Sequence, residues 1–204
     1  MNKQQRQDAF ENYMDRCLPV MEGRAPVESL AIRECGDCDM CCRAPAIDAS
    51  QLEPHELPLL KPKPAGEKCQ HCTSGGCGIY QKRPGICRGY MCLYVCGITD
   101  TKPMDGKVCW TFQPCQMTGR VLVVGHCLDA AEVLRDADNR EDIREFMAVE
   151  GNHKPVAVVL RTPKEVVRFD NTGNIPHLMA DIDQSDPMKM TVLEGTARRA
   201  EWRI

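Results

Sequence analysis

Four cysteines fall within eight residues, Cys35, Cys38, Cys41 and Cys42. Thiolates spaced two residues apart can turn back toward one soft cation, so this is first a metal-ligand spacing. A second block follows within the next sixty residues: Cys69, Cys72, Cys77, Cys87, Cys92 and Cys96. Two chemistries fit. Eight thiolates can build two tetrahedral S4 zinc sites, and three or four can hold an iron–sulfur cluster. The Cys35, Cys38, Cys41 step matches that of bacterial ferredoxins, but Cys42 is adjacent and is followed by Arg43 where Cys-Pro would be expected. Consecutive side chains diverge. Cys41 and Cys42 are therefore expected to bind different metals, or one of them does not ligate.

The chain has 204 residues, fourteen of them cysteine, and a formal charge of −3. Its polar opening, Met-Asn-Lys-Gln-Gln-Arg, has no apolar segment behind it, so we expect neither a secretory signal nor a membrane span. That reading places the chain in the cytoplasm, where thiols stay reduced and metal ligation is favoured over a disulfide framework. No dense Lys/Arg stripe and few aromatics are present, so no nucleic-acid partner is indicated. A protein partner is left open.

The second block reads Cys69-Gln-His-Cys72, then Cys77-Gly-Ile79-Tyr80-Gln-Lys-Arg83-Pro84-Gly-Ile-Cys87-Arg88, then Cys92. With the first block, it resembles the bacterial CxxCxxCC proteins, a zinc- or iron-chelating domain related to flagellin lysine N-methylase. The resemblance covers about residues 34–97. It implies a ligand set of Cys35, Cys38, Cys41, Cys42, Cys69, Cys77, Cys87 and Cys92 around zinc or iron, an iron–sulfur cluster included. Cys72, Cys96, Cys109, Cys115 and Cys127 lie outside the pattern and are read as small buried residues, with extra ligation or redox activity as the alternative. His71 is read as a solvent-facing loop residue, with ligation beside Cys69 as the alternative. Arg83 and Arg88 flank Cys87 and are expected to hydrogen-bond and neutralise the thiolates, with an anion clamp as the other reading. Ile79 and Tyr80 should pack against the site.

These residues need a frame. Residues 4–22 show helical periodicity through Phe10, Tyr13, Met14, Cys17 and Leu18, with Pro19 and Gly23 closing it. Residues 34–97 are Gly-, Pro- and Cys-rich, as expected where ligand bonds replace an apolar core, with a short helix near Asp48 and an extended connector from Lys61. Strands are expected at 108–112, 121–125, 156–160 and 166–169, with turns near Met117 and Thr162. Residues 129–150 read as helix in two pieces, with Asn139 an N-cap and Gly151 a stop. The fold class is α+β: an N-terminal helix and link (1–33), a cysteine-cluster segment (34–97) and a small β-β-α-β-β unit with a polar tail (98–204), with a short helix near 188–200.

No phosphate loop, GxSxG elbow, HExxH run or C-x3-C-x2-C spacing occurs, and no catalytic residue is assigned. Glu141-Asp142 and Asp181-Ile-Asp183 read as solvated faces. The expectation is a metal-binding protein whose cysteine site is mainly structural or storage-like. The alternatives are an iron–sulfur-dependent protein-modifying enzyme, such as a lysine N-methyltransferase, and a redox sensor or metal carrier.

Overall fold

The computed structural model describes residues 3–115, 120–149, 155 and 157–169. The α+β expectation holds. The element order is α1 (Lys3–Met21), α2 (Met40–Arg43), β1 (Cys72–Thr73), β2 (Gly76–Cys77), α3 (Gly85–Arg88), α4 (Pro103–Gly106), β3 (Val108–Cys115), β4 (Arg120–Cys127), α5 (Ala130–Arg135), α6 (Ala137–Ala148), β5 (Val158–Arg161) and β6 (Val166–Phe169). The last four strands make one mixed sheet in the order β3-β4-β5-β6. Its two outer pairings are antiparallel, and β4 pairs β5 in parallel. A parallel step needs a crossover, and α5 and α6 supply it.

Strand alternation assigns the two faces of the sheet different work. Val108, Trp110, Val123, Val158, Leu160 and Phe169 point to one side, where they pack with Val133, Leu134, Ile143 and Phe146 of α5 and α6. The flank of α1 closes this layer: Phe10 and Tyr13 meet Phe112 at 4.8 and 5.2 Å between ring centroids. Cys109, Thr111 and His126, all buried, lie at the alternate positions and face the other way. The cysteine segment covers that side. Cys92 bridges to Thr111, and the Leu93 amide donates to the Trp110 carbonyl at 2.8 Å, so the segment is stitched to the outer edge of β3. The sheet thus divides a helical core from the cysteine layer.

Several local expectations need correction. Pro19 does not end the first helix, which runs on to Met21; its missing N–H is carried in the last turn, and Gly23, at φ 69°, makes the left-handed exit. Asn139 is not a cap: Asp129 caps α5 and Asp136 caps α6, whereas Asn139 is buried and its amide donates to the Gly106 carbonyl at 2.7 Å. Asp142 is not a solvated acid. Arg6 is buried and donates to Asp142 and Glu145, each at 2.5 Å, tying α1 to α6. The expected turn at Met117, the stop at Gly151, the Asp181–Asp183 acids and the helix near 188–200 lie outside the described residues.

A glycine decides the helical core. Gly125 in β4 sits opposite Trp110, and a Cβ built there would lie 2.5 Å from the indole ring and 2.7 Å from Val108. Gly125→Ala is expected to force the indole off its seat and to destabilise the fold by about 1–3 kcal/mol. Thermal unfolding followed by tryptophan fluorescence would test this, and an unchanged midpoint would count against the packing described.

Candidate metal centre

Backbone contacts bring the two cysteine blocks together. The Cys69 amide donates to the Cys42 carbonyl at 2.9 Å, and Ile47 pairs with Lys63 in a short bridge. Lys63 is buried, and its ammonium donates to the carbonyls of Pro45 at 2.5 Å and Arg43 at 3.2 Å. The connector expected at Lys61 is therefore a clamp on the loop after Cys42. At the other end, the β1–β2 hairpin presents Cys72 opposite Cys77 and leans on the first block. Gly76, at φ 98°, allows that approach: a Cβ there would lie 2.7 Å from the Gly36 carbonyl oxygen. Gly76→Val is expected to push the hairpin off the first block and to destabilise the fold by about 1–3 kcal/mol. Denaturant unfolding of the purified variant reads this directly, and a wild-type midpoint would refute it.

Around these supports the thiols divide into two groups. Cys38, Cys92 and Cys109 are buried together with Cys35 and Cys41 packed on them. Cys69 and Cys87 pack instead on Ile47, Leu52 and Leu60. Burial first, then the charges of Cys69, Cys42 and Cys77, push the Cys87 thiol up to about 11, which places those four sulfurs in one neighbourhood. Cys41 and Cys42 stand at the junction: Cys41 packs on the first group and Cys42 shares the neighbourhood of the second, but their thiols do not diverge, since they hydrogen-bond each other.

Hydrogen bonds between thiols single out three sulfurs. Cys38 and Cys41 donate to Cys35 and bring it down to about 3. Cys41 likewise brings Cys42 down to about 7, and Cys109 lowers Cys92. Cys38, Cys41 and Cys109 are raised in return. Cys35, Cys42 and Cys92 are thus the sulfurs best prepared as thiolates. Among the described residues, no three His, Cys, Asp or Glu side chains already stand as a ligand group for one ion. The thiols are strung together by hydrogen bonds, Cys41 to both Cys35 and Cys42 and Cys42 on to Cys72, so a tetrahedral set would require side-chain rotations within this layer.

The surroundings differ from the sequence reading at several points. His71 is half-buried, and its Nε2 contacts the Leu59 carbonyl at 2.6 Å, while its backbone amide donates to the Cys69 sulfur at 3.5 Å. Arg83 faces the cysteines and stacks 3.7 Å from the centre of the Tyr80 ring, which is itself exposed. Arg88 does not face them; it is exposed and lies 3.8 Å from Glu28. Cys72 contacts Asp39, which also accepts from Arg43 at 2.6 Å. Cys96 and Cys127 belong to the helical core, and the side chain of Cys115 lies outside those described. Cys109 is the residue that spacing undervalued. The alternation of β3, with Val108 and Trp110 facing the helices, was the available signal.

A cavity of about 220 Å³ opens beside the two thiol groups. One wall is cysteine; the other includes Tyr90 and, from the sheet, Gln113, His126 and Arg161. Burial lowers His126 to about 3, with the Arg161 charge adding to the effect, so the ring is neutral near pH 7. No family model, curated protein or solved structure matches this chain. What the centre does must rest on its own chemistry. Among the described residues, no helix is long and apolar enough to cross a membrane.

Proposed function

We propose that this chain is a cytoplasmic metal-binding protein of the CxxCxxCC type, holding zinc or iron in two adjoining thiolate sets. Cys35, Cys38, Cys41 and Cys92 form one set, and Cys42, Cys69, Cys77 and Cys87 the other. The observation that carries this reading is the division of the thiols at Cys41–Cys42 into two groups, each drawn from both blocks. Soft, partly buried sulfur donors suit zinc, ferrous iron and iron–sulfur clusters and disfavour magnesium and calcium. Two S4 sets would carry about −4 in charge around divalent ions. Lys63, Arg83 and the Cys69-directed amide of His71 are placed to offset it.

The bound metal would also explain how this layer folds. Residues 34–97 contain short helices and a two-residue-stranded hairpin, and their apolar clusters are small. Metal–thiolate bonds would supply the cohesion that such a segment lacks, which gives the site its structural character. The test is thiol counting with a chromogenic disulfide before and after chelation under anaerobic conditions. About eight thiols should become reactive only after chelation, four per set. An unchanged count would overturn the reading.

A further inference from the structure

The thiol layer holds two cysteines that the eight-sulfur ligand set does not use. Cys109 lies on the cysteine-facing side of β3, buried with Cys38 and Cys92, and hydrogen-bonds Cys92 and Tyr90. Cys72 stands opposite Cys77 in the β1–β2 hairpin and hydrogen-bonds Cys42. Neither thiol is isolated. With Cys35, which accepts from Cys38, they give sulfur pairs that share no member: Cys35–Cys38, Cys42–Cys72 and Cys92–Cys109.

Paired sulfurs suit one kind of cation. A tetrahedral ion needs four donors around one point, whereas among the described residues no three His, Cys, Asp or Glu side chains stand so. A soft monovalent ion satisfied by two sulfurs needs only what each pair already offers. As it enters, two S–metal bonds form, and any S–H bond they replace breaks with its proton released to solvent. Softness points the same way. Met40 and Met104 pack within the Cys38, Cys92 and Cys109 group, and their backbone amides donate to the Cys38 sulfur. Thiolate and thioether sulfur together select copper(I) over hard cations. The cavity of about 220 Å³ is lined by Cys35, Cys38, Cys41 and Cys42, which gives a cation its route to the layer.

We infer that the thiol layer also takes copper(I), each ion held between two sulfurs, with Cys72 and Cys109 as ligands that the zinc or iron sets leave out. The inference deepens the proposed function and rests on its reading of these sulfurs as a metal centre. The test is anaerobic titration of the full-length chain, as purified, with the copper(I) acetonitrile complex against the coloured chelator bathocuproine disulfonate. Wild type should hold at least about three ions per chain against the chelator, one for each pair. Cys72→Ser and Cys109→Ser should each lower that number by about one, because each leaves a pair with a single sulfur. Cys96→Ser and Cys127→Ser, whose thiols belong to the helical core, should leave it unchanged. Cys72 is half-buried in the hairpin, so its variant carries the test should Cys109→Ser fail to fold. X-ray absorption at the copper edge, on wild type at low loading, should count about two sulfur neighbours per ion. Three or more neighbours, copper surrendered wholly to the chelator, or wild-type stoichiometry in Cys72→Ser or in folded Cys109→Ser would overturn the inference. Elemental analysis before the titration separates the two readings. A chain that carries zinc or iron but yields its copper defeats this inference alone, and one that holds copper in these pairs but arrives without zinc or iron defeats only that choice of metal.

Discussion

Cys41→Ser and Cys42→Ser should each remove about half of the bound metal, and the double variant nearly all of it, because under the proposed two-set arrangement each would lose one ligand of a four-sulfur set. The two residues are adjacent in the chain, yet Cys41 packs with Cys38, Cys92 and Cys109 while Cys42 shares the neighbourhood of Cys69, Cys77 and Cys87. Serine keeps the size of the side chain but removes the soft donor. Cys96→Ser and Cys127→Ser are the controls, since both thiols face the helical core on the opposite side of the sheet, and they should leave metal content unchanged. Metal-to-protein ratios across the series decide the matter. Complete loss of metal from both single variants would mean one shared centre, and no loss from either would mean that the doubled cysteine does not ligate.

The second large effect lies far from the cysteines. Arg6→Met should destabilise the fold by about 3–5 kcal/mol, because it leaves two buried carboxylates facing each other without their guanidinium. Arg6 also stacks on Phe146, 4.9 Å from the ring centre, and donates to the Ile98 carbonyl at 3.2 Å, so its removal loosens α1 from the core. The variant should show an inverted acid response. Burial already raises Asp142 above the usual carboxylate range despite Arg6, and without Arg6 it rises further. A carboxyl whose pKa is higher in the fold than in the unfolded chain takes up protons on folding, so it loses stability as pH rises through that window. Arg6→Met should therefore recover stability as pH falls from 7 toward 5. Denaturant unfolding at several pH values would show this; a variant as stable as wild type, or one that only weakens on acidification, would contradict the role of the pair.

What could be read from the chain and what could not follow from the range of each signal. Short-range patterns carried well: the split helix at 130–148 and the strands β3 and β4 depend on neighbours within a few residues. Long-range pairings did not. Arg6 and Asp142 are 136 positions apart, and an acid beside another acid on an amphipathic helix looks solvated until its partner is seen. Gly125 looked like an ordinary strand residue because its reason, the Trp110 ring, lies on the next strand. Cys109 sat outside the motif, and only the face to which β3 turns it places it with Cys92. Arg88 shows the converse error. Adjacency to Cys87 suggested a contact with the thiolates, but the one-turn helix α3 carries the side chain away toward Glu28. The Tyr90, Gln113, His126 and Arg161 wall was invisible for the same reason, since the loop and three strands contribute to it.

Elemental analysis with an absorption spectrum, on protein purified without oxygen or added chelator, tests the central claim most directly. The account predicts about two zinc ions per chain and no visible absorption, or iron with the broad charge-transfer bands of thiolate ligation. A protein that carries neither metal in stoichiometric amount, with its thiols freely reactive, would contradict it.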